Sequence, residues 1–195
     1  LCRWAYLARY LCWRCALILA ISGFLIAVYL PLFVSSWRIA FLGFGFQALC
    51  VALVLESHHQ AVYLAGALQL LDLVALRFIA VPTFFILYFS KRRRGVEFDV
   101  IPPSLVSWIA AIGLLILAVS LGQRLYPNDL VSAFHAGAVA SALLSGLFIL
   151  AVQKEPMGQI IGILYIESGI SLFETMNHEE PWFVQLGISL TFIGL

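Results

Sequence analysis

Apolar runs long enough to cross a bilayer, separated by short polar breaks, make up nearly all of this chain. That pattern limits the fold more than any motif does. Hydrocarbon offers no water to backbone N–H and C=O groups, so a spanning segment is expected to bond internally as a helix of about 20 residues. Seven such segments can be read. They run from about Cys15 to Val34, Ile39 to Leu55, Gln60 to Ser90, Ser104 to Leu121, Leu130 to Val152, Met157 to Met176, and Trp182 to Leu195. The third is long but too short to be two spans. The seventh needs further residues to reach the far side, and the chain opens on Leu1 rather than Met, so both ends are expected to be incomplete. The expected fold class is all-α, a polytopic transmembrane helical bundle of about seven spans.

Polar punctuation supports the division. Pro102-Pro103, Tyr126-Pro127-Asn128-Asp129, Lys154-Glu155-Pro156 and Asn177 through Pro181 all fall between spans, where backbone meets water. Pro156 suits the first turn of a helix. Pro82 lies inside the third span, where it is expected to kink the helix and free a carbonyl. The chain divides into an interfacial segment (1–14), an N-terminal three-span unit with a basic exit (15–100) and a C-terminal four-span unit (101–195).

Composition says what the chain does not do. Of its 195 residues 63% are hydrophobic and 11% charged, and mean hydropathy is +1.03, against roughly 45–50% apolar and 25% charged in a soluble domain. A net charge of +1 offers no basic surface for nucleic acid. Cys12 and Cys15 have the two-residue gap of metal and redox motifs. No second pair follows, Cys2 and Cys50 stand apart, and no histidine is near in sequence, so these read as ordinary membrane cysteines. The Gly43-Phe-Gly45-Phe run has no strand before it and is not a dinucleotide fingerprint. No nucleophile–base pair, phosphate loop or metal-ligand cluster is visible, so the sequence suggests no catalytic residue, metal or bound cofactor.

Orientation follows from Lys91-Arg92-Arg93-Arg94, which the positive-inside rule places in the cytoplasm. Counting outward puts Arg38 and Lys154 on the same side. It leaves Arg3, Arg9, Arg14 and Arg124 opposite, so residues 1–14, rich in Trp, Tyr and Arg, are expected to lie along the interface. The expected location is integral to a membrane that the chain crosses several times.

Charge at mid-membrane costs on the order of 2.5–3.5 kcal/mol on insertion scales, so each instance raises a functional hypothesis. The candidates are Asp72 and Arg77 in the third span, His135 in the fifth, and Glu167 and Glu174 in the sixth. Glu167 is the sharpest, because small residues around it in Gly162-Ile-Leu-Tyr-Ile-Glu167-Ser168-Gly169-Ile-Ser171 permit close helix packing. A carboxylate there either exchanges protons or, protonated, ties helices together. Glu174 follows two turns along the same face. Asp72 and Arg77, five apart, fall on different faces of an α-helix, so Arg77 needs a partner. That partner is Glu167, Asp72 after distortion at Pro82, or a carboxylate of a neighbouring subunit. His135, on a span of Ala, Gly and Ser, either bonds a carbonyl or relays protons. His58, His59 and His178 fall at span ends, where an interfacial role is expected.

Two stretches resemble the hydrogenase-4 component E family, membrane subunits of formate-hydrogenlyase-type group 4 [NiFe] hydrogenases and related ion-pumping complexes. The first is Trp37-Arg38-Ile-Ala-Phe-Leu-Gly-Phe-Gly-Phe-Gln47-Ala48-Leu49, followed by Arg77-Phe-Ile-Ala-Val81-Pro82 and the basic exit. The second is Gln159-Ile-Ile-Gly162 through Ile166-Glu167-Ser168-Gly169-Ile170, then Gln185-Leu-Gly187-Ile188. The resemblance implies that the last three spans are similar to the small three-helix subunit of respiratory complex I, with Glu167 at the position of its mid-membrane glutamate. The sequence departs from the pattern at Arg77, where a lysine is usual, at Thr191, where a second acid is expected, and at Ser168, where asparagine is usual. The resemblance implies antiporter-like membrane subunits and hydrogenase-like or complex-I-like peripheral redox subunits as partners. Read with the buried charges, this leads to an expected proton or sodium pathway with Glu167 as central titrating group, Arg77 as its tuning charge and Asp72, His135 and Glu174 as secondary relay or structural members, with redox chemistry elsewhere. Two other readings fit the same residues: a stand-alone cation/proton transporter or antiporter component, and a scaffold whose buried charges lock subunits together.

Overall fold

The structure, a computed structural model, describes residues 2–34, 36–57, 71–92 and 105–176. All regular elements among these are helical and make six helices: α1 (Cys2–Val34), α2 (Trp37–Ser57), α3, α4 (Leu105–Leu125), α5 (Leu130–Val152) and α6 (Pro156–Glu174). The helix α3 is π-helical over Asp72–Ala80 and continues as α-helix over Val81–Arg92. Four helices (α2, α4, α5 and α6) are long and apolar enough to cross a membrane, while α1 and α3 carry the shorter apolar stretches Arg14–Leu30 and Leu73–Leu87.

The described parts of the first six expected spans fall on these helices, residues 60–70 of the third and Ser104 of the fourth lying outside the described residues. The seventh lies outside the described residues, as do His58, His59 and His178, Thr191, and the end of the basic exit. Residues 2–14 continue α1 without a break, with no glycine or proline in the stretch. The 33 residues of α1 extend about 50 Å, well beyond the roughly 30 Å of a hydrocarbon core.

Successive helices pack in pairs, α1 on α2, α4 on α5 and α5 on α6; α1 and α5 join the pairs, and α2 also lies against α3 and α6. Lipid is as apolar as leucine, so these contacts are held by shape and polar bonds rather than by expulsion from water. Phe24, Phe41, Phe44 and Tyr165 fill the interior. Phe41 of α2 stacks on Phe85 of α3 at 4.7 Å between centroids. The outermost helix is α4, and its exposed face of Leu105, Val106, Trp108, Ile109, Ile112 and Ile116 suits lipid.

Two close approaches depend on missing side chains. A Cβ on Gly146 of α5 would sit 2.7 Å from the carbonyl oxygen of Gly162 on α6, so nothing larger than glycine lets these backbones meet. On α2, a Cβ at Gly45 would sit 3.0 Å from Pro82 Cγ and 3.1 Å from the carbonyl oxygen of Phe78. Pro82 has no N–H for that carbonyl four residues earlier. The Gly43-Phe-Gly45 run therefore serves helix packing, bringing α2 onto the proline-bearing turn.

Asp129 starts α5 from the junction after α4. Its carboxylate accepts from the Ser132 hydroxyl at 2.6 Å and from the Val131 N–H at 3.1 Å, filling orphan donors of the first turn. The Ser132 hydroxyl foremost, then the Val131 N–H, hold this carboxyl below its ordinary range. A lowered folded value means that the contribution is present above the unfolded value, about 3.9, and is lost as pH falls through the folded one. Asp129→Ala is expected to lower stability at pH 7 by about 0.5–1 kcal/mol, as for an exposed cap. The wild-type advantage should disappear on acidification, whereas Asp129→Asn should show no such pH dependence in thermal unfolding.

Candidate functional site

The change of helix type in α3 sets the site. In the π-helical segment the backbone pairs i with i+5, closing with Val81 N–H on the carbonyl of Leu76. Each turn then holds more residues than an α-helical turn, so the α-helical count that separates positions 72 and 77 does not hold there. Asp72 opens this segment, and its side chain lies outside the described residues. Leu73 and Arg77 face inward and are buried, while Phe78 and Ile79 point outward.

Arg77 reaches α6. Its Nη2 lies 3.0 Å from Glu167 Oε1, and its Nη1–H donates to the hydroxyl of Ser171. The two residues are 3% and 6% exposed, so the pair is closed off from the surroundings. Of the three partners open to Arg77 on sequence grounds, the structure supplies Glu167. The guanidinium spans one turn of α6, one nitrogen on Glu167 and the other on Ser171, a use of its planar fork that a lysine ammonium does not match. Charge-assisted bonds of this kind tolerate removal from water only when most donors and acceptors are filled.

The same helix presents its remaining polar residues near its C-terminal end. His135 of α5 lies with Nε2 3.1 Å from the carbonyl oxygen of Leu172 and 3.2 Å from the Thr175 hydroxyl. A carbonyl only accepts, so Nε2 carries the proton. Thr175 also donates to the Leu172 carbonyl at 2.6 Å. That carbonyl is one of the last in α6, where intrahelical partners run out. His135 is thus on a carbonyl, and Glu174 is half-buried two turns beyond Glu167.

Ser171 and Thr175 escaped the reading of the sequence. Their signal was periodicity: Glu167, Ser171 and Thr175 recur every fourth residue and form one stripe. Within the cluster Glu167 is the group able to take up and return a proton, Arg77 supplies a fixed charge, and the hydroxyls bridge. Among the described residues no three His, Cys, Asp or Glu side chains gather as a metal site. Comparison with family models, curated proteins and solved structures returns no match.

Proposed function

We propose that this chain is a membrane-arm subunit of a hydrogenase-like or complex-I-like redox complex, with about seven spans in a prokaryotic inner membrane. It contributes a buried polar axis through which protons or sodium ions move. The observation that carries this reading is the Arg77–Glu167 pair, closed between α3 and α6 with Ser171 as third member. Buried charge inside a membrane bundle is expensive and characteristically belongs to an ion pathway. The order and spacing of the motifs shared with hydrogenase-4 component E point the same way and direct the choice of partners. Glu167 is the central titrating group in this reading and Arg77 its tuning charge, with Asp72, His135 and Glu174 as secondary relay or structural members. Redox chemistry takes place in soluble partner subunits.

Purification in mild detergent with identification of bound proteins by mass spectrometry tests the assignment. Large polytopic antiporter-like subunits with an iron–sulfur or nickel-bearing module are expected to copurify. Recovery of the chain alone, or only as its own oligomer, would move the assignment to a stand-alone transporter.

A further inference from the structure

Serines inside membrane helices usually satisfy themselves by donating to the carbonyl one turn back. Ser22 does so to Ile18 and Ser120 to Ile116, both at 2.7 Å. Ser141 and Ser145 of α5 do not. They are fully buried, and neither hydroxyl has a hydrogen-bond partner among the described residues. The hydroxyl of Tyr29 on α1, also buried, faces both of them without closing to a direct bond.

A second group lies on the neighbouring helices. Gln47 of α2 is 0% exposed, and its amide nitrogen and oxygen are both without a partner among the described residues. The amide faces the hydroxyl of Tyr165 on α6, which makes a long 3.4 Å bond to the carbonyl of Ala27, two residues before Tyr29. Tyr165 and Glu167 are two positions apart, about 200° around α6, so these groups are on another side of that helix from Arg77.

Native interiors leave very few polar atoms unfilled. We propose that ordered water molecules are bound inside this bundle by Tyr29, Ser141, Ser145 and Gln47. The chemistry selects the ligand. Every group here is neutral and offers both donors and acceptors. The Gln47 amide N–H₂ opposes a cation and its oxygen opposes an anion, whereas water meets both. Buried polar groups that face each other without a direct bond are where a bridging water belongs, and a polar, roomy site holds water where an apolar one stays dry. The inference does not depend on the ion-pathway reading.

Radiolytic footprinting of the full chain in ¹⁸O-labelled water reads the site directly, because a radical formed from bound water labels the aromatic ring beside it. Tyr29 is expected to gain label about tenfold faster than Phe24 and Phe41, which are buried in apolar surroundings. The double variant Ser141→Ala/Ser145→Ala should slow Tyr29 labelling several-fold while leaving Phe24 unchanged. Labelling of Tyr29 no faster than Phe24 in the wild-type protein would overturn the proposal, and so would an unchanged Tyr29 rate in a folded double variant.

Discussion

Glu167→Gln is expected to destabilise the chain by about 3–5 kcal/mol, the usual consequence of removing one partner of a buried ion pair. The companion change Arg77→Met should cost less, and the difference follows from chemistry. Glu167 left alone can become neutral by accepting a proton, whereas an arginine guanidinium stays charged in a protein and is left buried against uncharged groups. The pair Arg77→Met/Glu167→Gln should recover most of the loss, since exchanging a buried ion pair for neutral groups of similar size is often nearly neutral. Thermal unfolding of the four proteins in one detergent completes the double-mutant cycle. Additive losses would show that the two side chains do not depend on each other, against the 3.0 Å contact between them.

The second large effect concerns transport, and the first makes it testable. Loss of activity in a single Glu167 variant does not separate a lost proton group from a lost fold. The double variant avoids this, because it keeps the bundle while removing both the titrating carboxyl and the fixed charge. In the membrane-arm reading such a complex assembles and still oxidises its donor. Its ion translocation should fall by about tenfold or more, as expected when a positioned proton-transfer group is lost. A scaffold role predicts assembly together with full translocation.

How far the sequence discloses this arrangement depends on the physics involved. Helix positions are legible because length and hydropathy are properties of single segments, and Glu167 stood out because charge is rare in lipid-facing sequence. The partner of Arg77 was not legible beyond a choice of three. Reading Asp72–Ala80 with α-helical periodicity misplaces position 72 relative to 77, and no local residue signal marked nine residues of π-helix. Ser171 and Thr175 were hidden because hydroxyls are common in membrane helices and usually bond their own backbone. Tyr29, Gln47, Ser141 and Ser145 lie on three separate helices, and only the fold brings them to the same interior. Residues 2–14 continue α1, a continuity that their aromatic and basic composition does not signal.

The most direct test of the central claim is the number of ions moved per electron pair, measured on the purified assembly in proteoliposomes with wild-type protein and the Arg77→Met/Glu167→Gln variant side by side. The account predicts electron transfer near the wild-type rate with ion movement lost in the variant. An intact variant complex that moves ions at the wild-type ratio would contradict it.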